Sequence, residues 1–224
     1  MNTDTQGLNL IYDDYKDCTR CPLHEYRQNV VFGTGNPNAG ILMVTDTPDE
    51  LEDIVGNHNT ANIRWLMRIF RGALSLNISL QECAELFFQN VFITSAVICR
   101  PKAPTGDYRD PGWKNEIKVC NDRLLSVIYE VDPNIIIGAG KFANTALLRR
   151  VSKLPRRSGV TKVMYTMEVP GEATSVPYSV IPTNDPTFAK RQGDYDDPNG
   201  FISSLGKALR TAWDINNLIE EEDR

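Results

Sequence analysis

Along this chain, short β-branched apolar runs alternate with stretches whose apolar residues recur every three or four positions. Ile41-Leu42-Met43-Val44, Val91-Phe92-Ile93-Thr94 continuing to Ile98, and Asn134-Ile135-Ile136-Ile137 show no polar face. That pattern predicts strands buried on both sides, and Tyr178-Ser179-Val180-Ile181 is a shorter fourth candidate. Between the first two runs, Ile63, Leu66, Met67, Phe70 and Leu74 form one helical stripe. Glu116 to Tyr129 carries a second stripe of Ile117, Cys120, Leu124 and Ile128. Lys141 to Arg150 reads as a third helix, and Phe201 to Leu218 as a fourth, with Leu205, Ala208, Leu209 and Ala212 in register. Alternating strands and helices predict a mainly parallel sheet covered by helices on both faces. Ligands of such sheets bind beyond the carboxyl ends of the strands, which directs attention to the loops after Val44, Ile98, Ile137 and Ile181. Pro101 to Trp113 and Gly193 to Gly200 read as loops.

A length of 224 residues with 41% apolar content fits a single domain with a real core, spanning about residues 18–219 before an acidic tail at 220–224. Met1 to Gln6 holds neither a basic region nor an apolar run, and no apolar stretch reaches the ~20 residues of a membrane span. A cytoplasmic, reducing compartment with no membrane partner is therefore expected. The net charge of −5 argues against a general nucleic-acid coat. Arg149, Arg150, Lys153, Arg156 and Arg157 nevertheless cluster locally, either as a phosphate-binding face or as a solvated helix end.

Cysteine placement changes the picture. Cys18-Thr19-Arg20-Cys21 is a close pair in a polar turn, Cys99 follows an apolar run, and Cys120 lies on a predicted helix stripe. In a reducing compartment a Cys-x-x-Cys pair points to metal or redox chemistry. Structural Zn²⁺ usually takes two close pairs, whereas a [4Fe–4S] cluster accepts one close pair and two distant cysteines. The spacing favours the cluster, with zinc as the alternative. For Cys83 the default is an inert buried thiol.

The loops between these cysteines carry a resemblance. Cys18-x-x-Cys21-Pro22-Leu23, Val31-Phe32-Gly33-Thr34-Gly35-Asn36-Pro37 and the strand from Ile41 resemble the opening of the iron–sulfur (family 4) uracil-DNA glycosylases. Pro48, Glu52-Asp53 and Gly56 resemble that family's GEAPGxxED…G motif, and Thr94 to Pro101 its TNxVxCRP segment. Pro133, Ile135, Gly138, Ala143 and Leu147-Leu148 resemble PxxIxxxGxxAxxxLL, and Pro182-Thr183-Asn184-Asp185-Pro186-Thr187 stands where the family has PTxHPS. The resemblance covers roughly Cys18 to Arg191. It implies a three-layer α/β/α fold with a central four-stranded mainly parallel sheet, a [4Fe–4S] cluster on Cys18, Cys21, Cys99 and Cys120, and DNA as substrate, single-stranded or duplex with a flipped base.

The departures from the family fall where its chemistry sits. Its water-positioning Glu is Asp46 here, and the motif Gly that follows is Asp49. Its base-stacking Phe aligns with Asn59, beside His58, its base-reading Asn with Ser95, and its third-motif His with Asp185. Departing uracil carries negative charge, so a carboxylate at position 185 opposes it, and loss of one donor there costs ~10²–10³ in rate. Asn184 or His58 could supply the missing donor. Phe188, Lys190 and Arg191 occupy the segment where the family places its apolar wedge and a basic residue, and Arg100, Lys102 and Arg109 flank the cysteine loop.

Two functional readings follow, with Asp46 and Asp185 as catalytic candidates and Asp49, His58, Asn59, Ser95 and Asn184 as base contacts. One is an enzyme that extrudes and excises a modified or non-uracil base. The other is a catalytically silent protein that binds DNA or a replication or repair partner. A third feature competes with both: Asn134 to Ala143 is a strand leading into Gly138-x-Gly140-x-x-Ala143, which matches a dinucleotide-binding turn. Tight strand–helix packing explains the same glycines.

Overall fold

The structure, a computed structural model, describes residues 6–61, 63–101, 113–148, 161–169, 172–193 and 200–222. The basic cluster from Arg149 to Arg157, the loop bearing Lys102 and Arg109, and most of the loop from Gly193 to Gly200 lie outside the described residues. Among the described residues, no helix is long and apolar enough to cross a membrane.

Six strands form one sheet: β1 (Thr34–Gly35), β2 (Ile41–Thr45), β3 (Val91–Ser95), β4 (Ile135–Ala139), β5 (Thr161–Val169) and β6 (Glu172–Thr183). Their order is β1-β3-β2-β4-β6-β5. The four central strands are parallel, as the apolar runs and the family resemblance lead one to expect. Two antiparallel edge strands, β1 and β5, extend them. Neither is an apolar run: β1 has only two residues, and β5 pairs with the first part of a 12-residue β6. Edge strands need satisfy only one ladder and one packed face, so they leave a weak apolar signature.

Alternate residues of the central strands divide between two cores. Leu42, Val44, Phe92, Ile136 and Val180 join the core beneath α1 (Gln6–Tyr15), α5 (Trp113–Val131) and α6 (Lys141–Leu148). Ile41, Met43, Val91, Ile93, Ile135, Ile137 and Ile181 join the core beneath α3 (Ile63–Ala73), α4 (Leu80–Asn90) and α8 (Phe201–Glu222). The sheet thus separates two helical layers, which is why its strands read as continuous apolar runs. Each such side chain taken fully from water contributes about 1.5–3 kcal/mol of transfer free energy.

Helix α4 lacks a clear stripe but carries a start signal. The Ser79 hydroxyl accepts from the Glu82 amide at 3.2 Å, and the Glu82 carboxylate accepts from the Ser79 amide at 2.8 Å. Helix α2 (Glu50–Val55) opens with the same reciprocal cap, Asp49 with Glu52.

Asp53, in α2, is completely buried, and its carboxylate accepts from the amides of Gln28 (3.0 and 3.1 Å) and Asn29 (3.2 Å). The Asp of the Glu-Asp motif is therefore a clamp that holds α2 to the segment leading into β1. Asp53→Ala removes a buried carboxylate that accepts these charge-assisted bonds and is expected to cost about 2 kcal/mol of stability, read as a lowered urea midpoint. Asp53→Asn, which keeps one acceptor oxygen, should recover part of that loss.

Candidate active site

The chain crosses from β2 to β3 on one side and from β4 to β6 on the other, so the crevice beyond β2 and β4 is the topological switch point. Asp46, the first residue after β2, lies there. Its Oδ1 accepts from the backbone amides of Phe142 (2.8 Å) and Ala143 (2.9 Å), in the first turn of α6. Those amides have no partner within the helix, and the helix dipole favours an anion beside them. The glycine turn makes this approach possible. Gly140 has φ +120°, and a Cβ there would lie 2.2 Å from Asp46 Oδ1. At Gly138 a Cβ would lie 2.5 Å from Asn144 Oδ1. The Asn144 side-chain amide donates to the carbonyls of Gly138 (2.8 Å), Gly140 (2.6 Å) and Thr183 (3.2 Å), locking the turn. The motif that matches a dinucleotide loop thus cradles a carboxylate of the chain itself, and the helix N-terminus that would hold a pyrophosphate is taken.

Burial and the neighbouring Asp185 push the Asp46 carboxyl up to about 7, against the opposing pull of the α6 amides. Asp185 is the N-cap of α7 (Pro186–Gln192), where its Oδ1 accepts from the Phe188 amide at 2.9 Å. Burial raises its pKa too; the α7 amides and Arg191 oppose that shift, and Glu52 adds to it. Asp185 therefore lies near enough to Asp46, and Glu52 near enough to Asp185, for each charge to raise its neighbour.

That third carboxyl organises the adjacent loop. Glu52 Oε2 accepts from the Asp49 amide (2.9 Å), and Oε1 pairs with His58 Nδ1 (2.9 Å). A carboxylate at Nδ1 fixes the proton there in the neutral ring and leaves Nε2 as an acceptor. His58 is fully buried, and among the described residues Nε2 meets no partner. The Asp49 side chain caps α2 by accepting from the Glu52 amide at 2.9 Å, while Asn59 is exposed. Ser95 is fully buried at the end of β3, its hydroxyl 2.9 Å from that of Thr45. Asn184 is buried beside Asp185. Phe188 is 38% exposed on the first turn of α7, with Lys190 and Arg191 exposed on its last turn. An apolar ring followed by two cations on one short helix suits contact with a base step and its phosphates.

The four sequence-predicted cysteines occupy one region on the α1–α5 side of the sheet. Cys18 follows α1, Cys21 opens a 3₁₀ turn (Pro22–Glu25), Cys99 follows β3, and Cys120 lies on α5. Cys99 and Cys120 are each close enough to Cys21 to feel its charge, as Cys120 and Cys21 are to Cys18. Burial holds the Cys21 and Cys120 thiols above their ordinary range and lifts that of Cys99 to about 11. Among the described residues no three His, Cys, Asp or Glu side chains close on a single metal-ion position. A cubane differs from one ion in that each thiolate binds a different iron, so its ligands stand farther apart.

Donors to sulfur fit the same group. Arg27 donates to Cys99 Sγ at 3.2 Å and to the Cys18 carbonyl at 2.7 Å. The amides of Leu23 and Ile98 point at the sulfurs of Cys21 and Cys120. Cys83 is buried apart from these, its thiol 3.4 Å from the Met67 carbonyl in the opposite core.

Sequence reasoning missed Arg123, Arg27 and Asn144. Arg123 had a signal: it stands three residues after Cys120, on the apolar stripe of α5, where a cation is out of place unless it is partnered.

The sequence pattern of the uracil DNA glycosylase superfamily matches residues 32–204. A type-4 uracil-DNA glycosylase of Saccharolobus solfataricus is 31% identical over 186 residues, 82% of this chain and 77% of that protein. One from Pyrobaculum aerophilum is 29% identical over 157 residues, 69% and 71% of the two chains. One from Thermotoga maritima is 30% identical over 146 residues, 64% and 67%. With its parallel sheet, its carboxylate at the switch point and these matches, the chain belongs to the uracil DNA glycosylase superfamily, on its type-4 side.

Proposed function

We propose that this protein is a DNA glycosylase that extrudes a base other than ordinary uracil and hydrolyses its N-glycosidic bond. The observation that carries this is the Asp46 carboxylate, fixed by two helix amides at the switch point with a pKa near 7. In the reaction, the bond from C1′ to the base nitrogen breaks and its electron pair leaves with the base. A water oxygen bonds to C1′, and Asp46 takes the water proton. Ionised Asp46 also stabilises the positive charge that develops on the sugar. The products are free base and an abasic site.

The pocket chemistry supports a different target from uracil. Asp185 stands where the family places a histidine donor, and no aromatic platform occupies position 59. A base that offers an amine or a positive charge would be drawn to Asp185, whereas a departing uracilate would be repelled. Asn184 adjoins Asp185 in the chain, and Ser95, His58, Asp49 and Asn59 are the further groups proposed to meet the edge of the base. Phe188, Lys190 and Arg191 would hold the opened DNA.

A [4Fe–4S] cluster on Cys18, Cys21, Cys99 and Cys120 belongs to the same proposal. Its chemistry here would be that of a staple: four ligands from the segment after α1, the Cys21 turn, the β3 loop and α5 would be tied together, and no redox step is needed for hydrolysis.

The test uses purified protein with single-stranded and duplex oligonucleotides bearing a panel of altered bases. Abasic product from an amine-bearing or cationic base, released faster than from uracil, is the expected result. DNA binding with no abasic product from any base would instead identify a silent accessory protein for replication or repair. Iron and sulfide in the cubane ratio, with a broad brown absorption, are expected in the same preparation, and a colourless zinc protein would overturn the cluster.

A further inference from the structure

Arg123 is the bulkiest side chain that is wholly buried among the described residues. Its guanidinium is not solvated, and among the described residues no carboxylate pairs with it. It donates instead to three neutral oxygens at the end of β3: the Thr94 hydroxyl (2.9 Å), the Ser95 carbonyl and the Ala96 carbonyl (3.3 Å). Among the described residues, the groups around it that can carry negative charge are Cys120, Tyr15 and Cys99. An unpaired buried cation is strongly unfavourable, so a guanidinium in this position needs an anion. Iron-bound thiolates at Cys120 and Cys99 would be that anion, because a cubane with four thiolate ligands has a net negative charge.

We infer that Arg123 is a positioning residue that couples the cysteine centre to the base-facing turn after β3. Cys120 and Cys99 lie near enough for their charge to act on the guanidinium, which also holds the Ser95 and Ala96 carbonyls. That turn is also tied to the catalytic strand, since the Ala96 amide donates to the Thr45 carbonyl (2.8 Å) and the Val97 amide to the Asp46 carbonyl (3.2 Å). Filling the cysteine centre therefore fixes the guanidinium, and the guanidinium fixes the Ser95 edge of the pocket and the backbone of Asp46. The inference rests on the cluster reading given above.

Two variants of the full chain, Arg123→Met and Arg123→Lys, separate the charge from the hydrogen-bonding fork. A cation beside an iron–sulfur centre stabilises its reduced, more negative form. Arg123→Met is thus expected to lower the reduction potential, while Arg123→Lys keeps it near that of the parent. Both lose the fork, so amide exchange at 95–97 should quicken by about tenfold or more, while exchange at 135–137 in β4 stays unchanged. Removing iron from the parent protein should give the same local quickening at 95–97. If Arg123→Met does not fold, Arg123→Lys and the iron-free parent still carry the exchange test. A brown protein with full iron whose Arg123→Met potential and exchange match the parent, or whose two variants shift the potential alike, overturns the coupling but not the cluster. A colourless parent overturns the cluster and the coupling together.

Discussion

Asp46→Asn is expected to cut base release by at least ~10²-fold while making the protein more stable above neutral pH. Both effects have one origin. The Asp46 carboxyl titrates at about 7 in the folded protein against an ordinary value of 3.8. Between those values the folded state binds more protons than the unfolded state, so stability declines as pH rises from about 4 to about 7. A shift of this size corresponds to a penalty on the order of 4 kcal/mol at pH 8, as a ceiling. Asparagine keeps an oxygen to accept from Phe142 and Ala143 but has no charge to bury. The parent should therefore show a lower melting temperature at pH 8 than at pH 5.5, and Asp46→Asn should flatten that difference. Activity has the opposite slope, because only the ionised form can take a proton from water. Base release should rise with pH through about 7 and level off above it. A flat profile between pH 5.5 and 8.5 would remove Asp46 from the role given to it.

The second large effect comes from Asp185→Asn. Asparagine is as good an N-cap as aspartate, so the bond to the Phe188 amide and the start of α7 should survive. The substitution removes a like charge that acts on Asp46 and adds a side-chain amide donor. Loss of the like charge lowers the Asp46 pKa, which moves the rising limb of the activity profile to more acid pH. The new donor can meet the negative charge on a departing uracil, so uracil release is expected to increase by up to ~10². Release of an amine-bearing or cationic base should fall at the same time. Reversed preference between the two substrates, measured side by side, is the decisive reading; equal changes for both would assign Asp185 to capping alone. Asp185→His introduces a donor but loses the cap, so it should gain less.

Much of this arrangement was legible in the chain. The apolar runs at Ile41, Val91, Ile135 and Val180 announced the parallel strands because strands buried on both faces cannot carry polar alternation. The stripe of α5 was legible for the same reason, as burial on one side imposes a helical period. Asp46 and Asp185 could be singled out because each follows a strand or turn whose neighbours match a family motif. The edge strands were not legible, since one packed face and one ladder select weakly for residue type. Nor could spacing say what the glycine turn at Gly138 and Gly140 holds: a pyrophosphate and an aspartate make the same demand on helix amides.

The sequence alone thus determined the layered architecture, the cysteine set and the identity of the residues that differ from the family, because these follow from local periodicity and from motif order. The tertiary structure decided what those residues touch. It placed Asp46 against the amides of a helix almost a hundred positions later, made Asp185 a helix cap whose charge reaches Asp46, paired His58 with Glu52, and buried Arg123 against the end of β3. Such contacts join residues far apart in the chain. Their energies depend on distance and burial in the folded protein, which no residue type or spacing specifies.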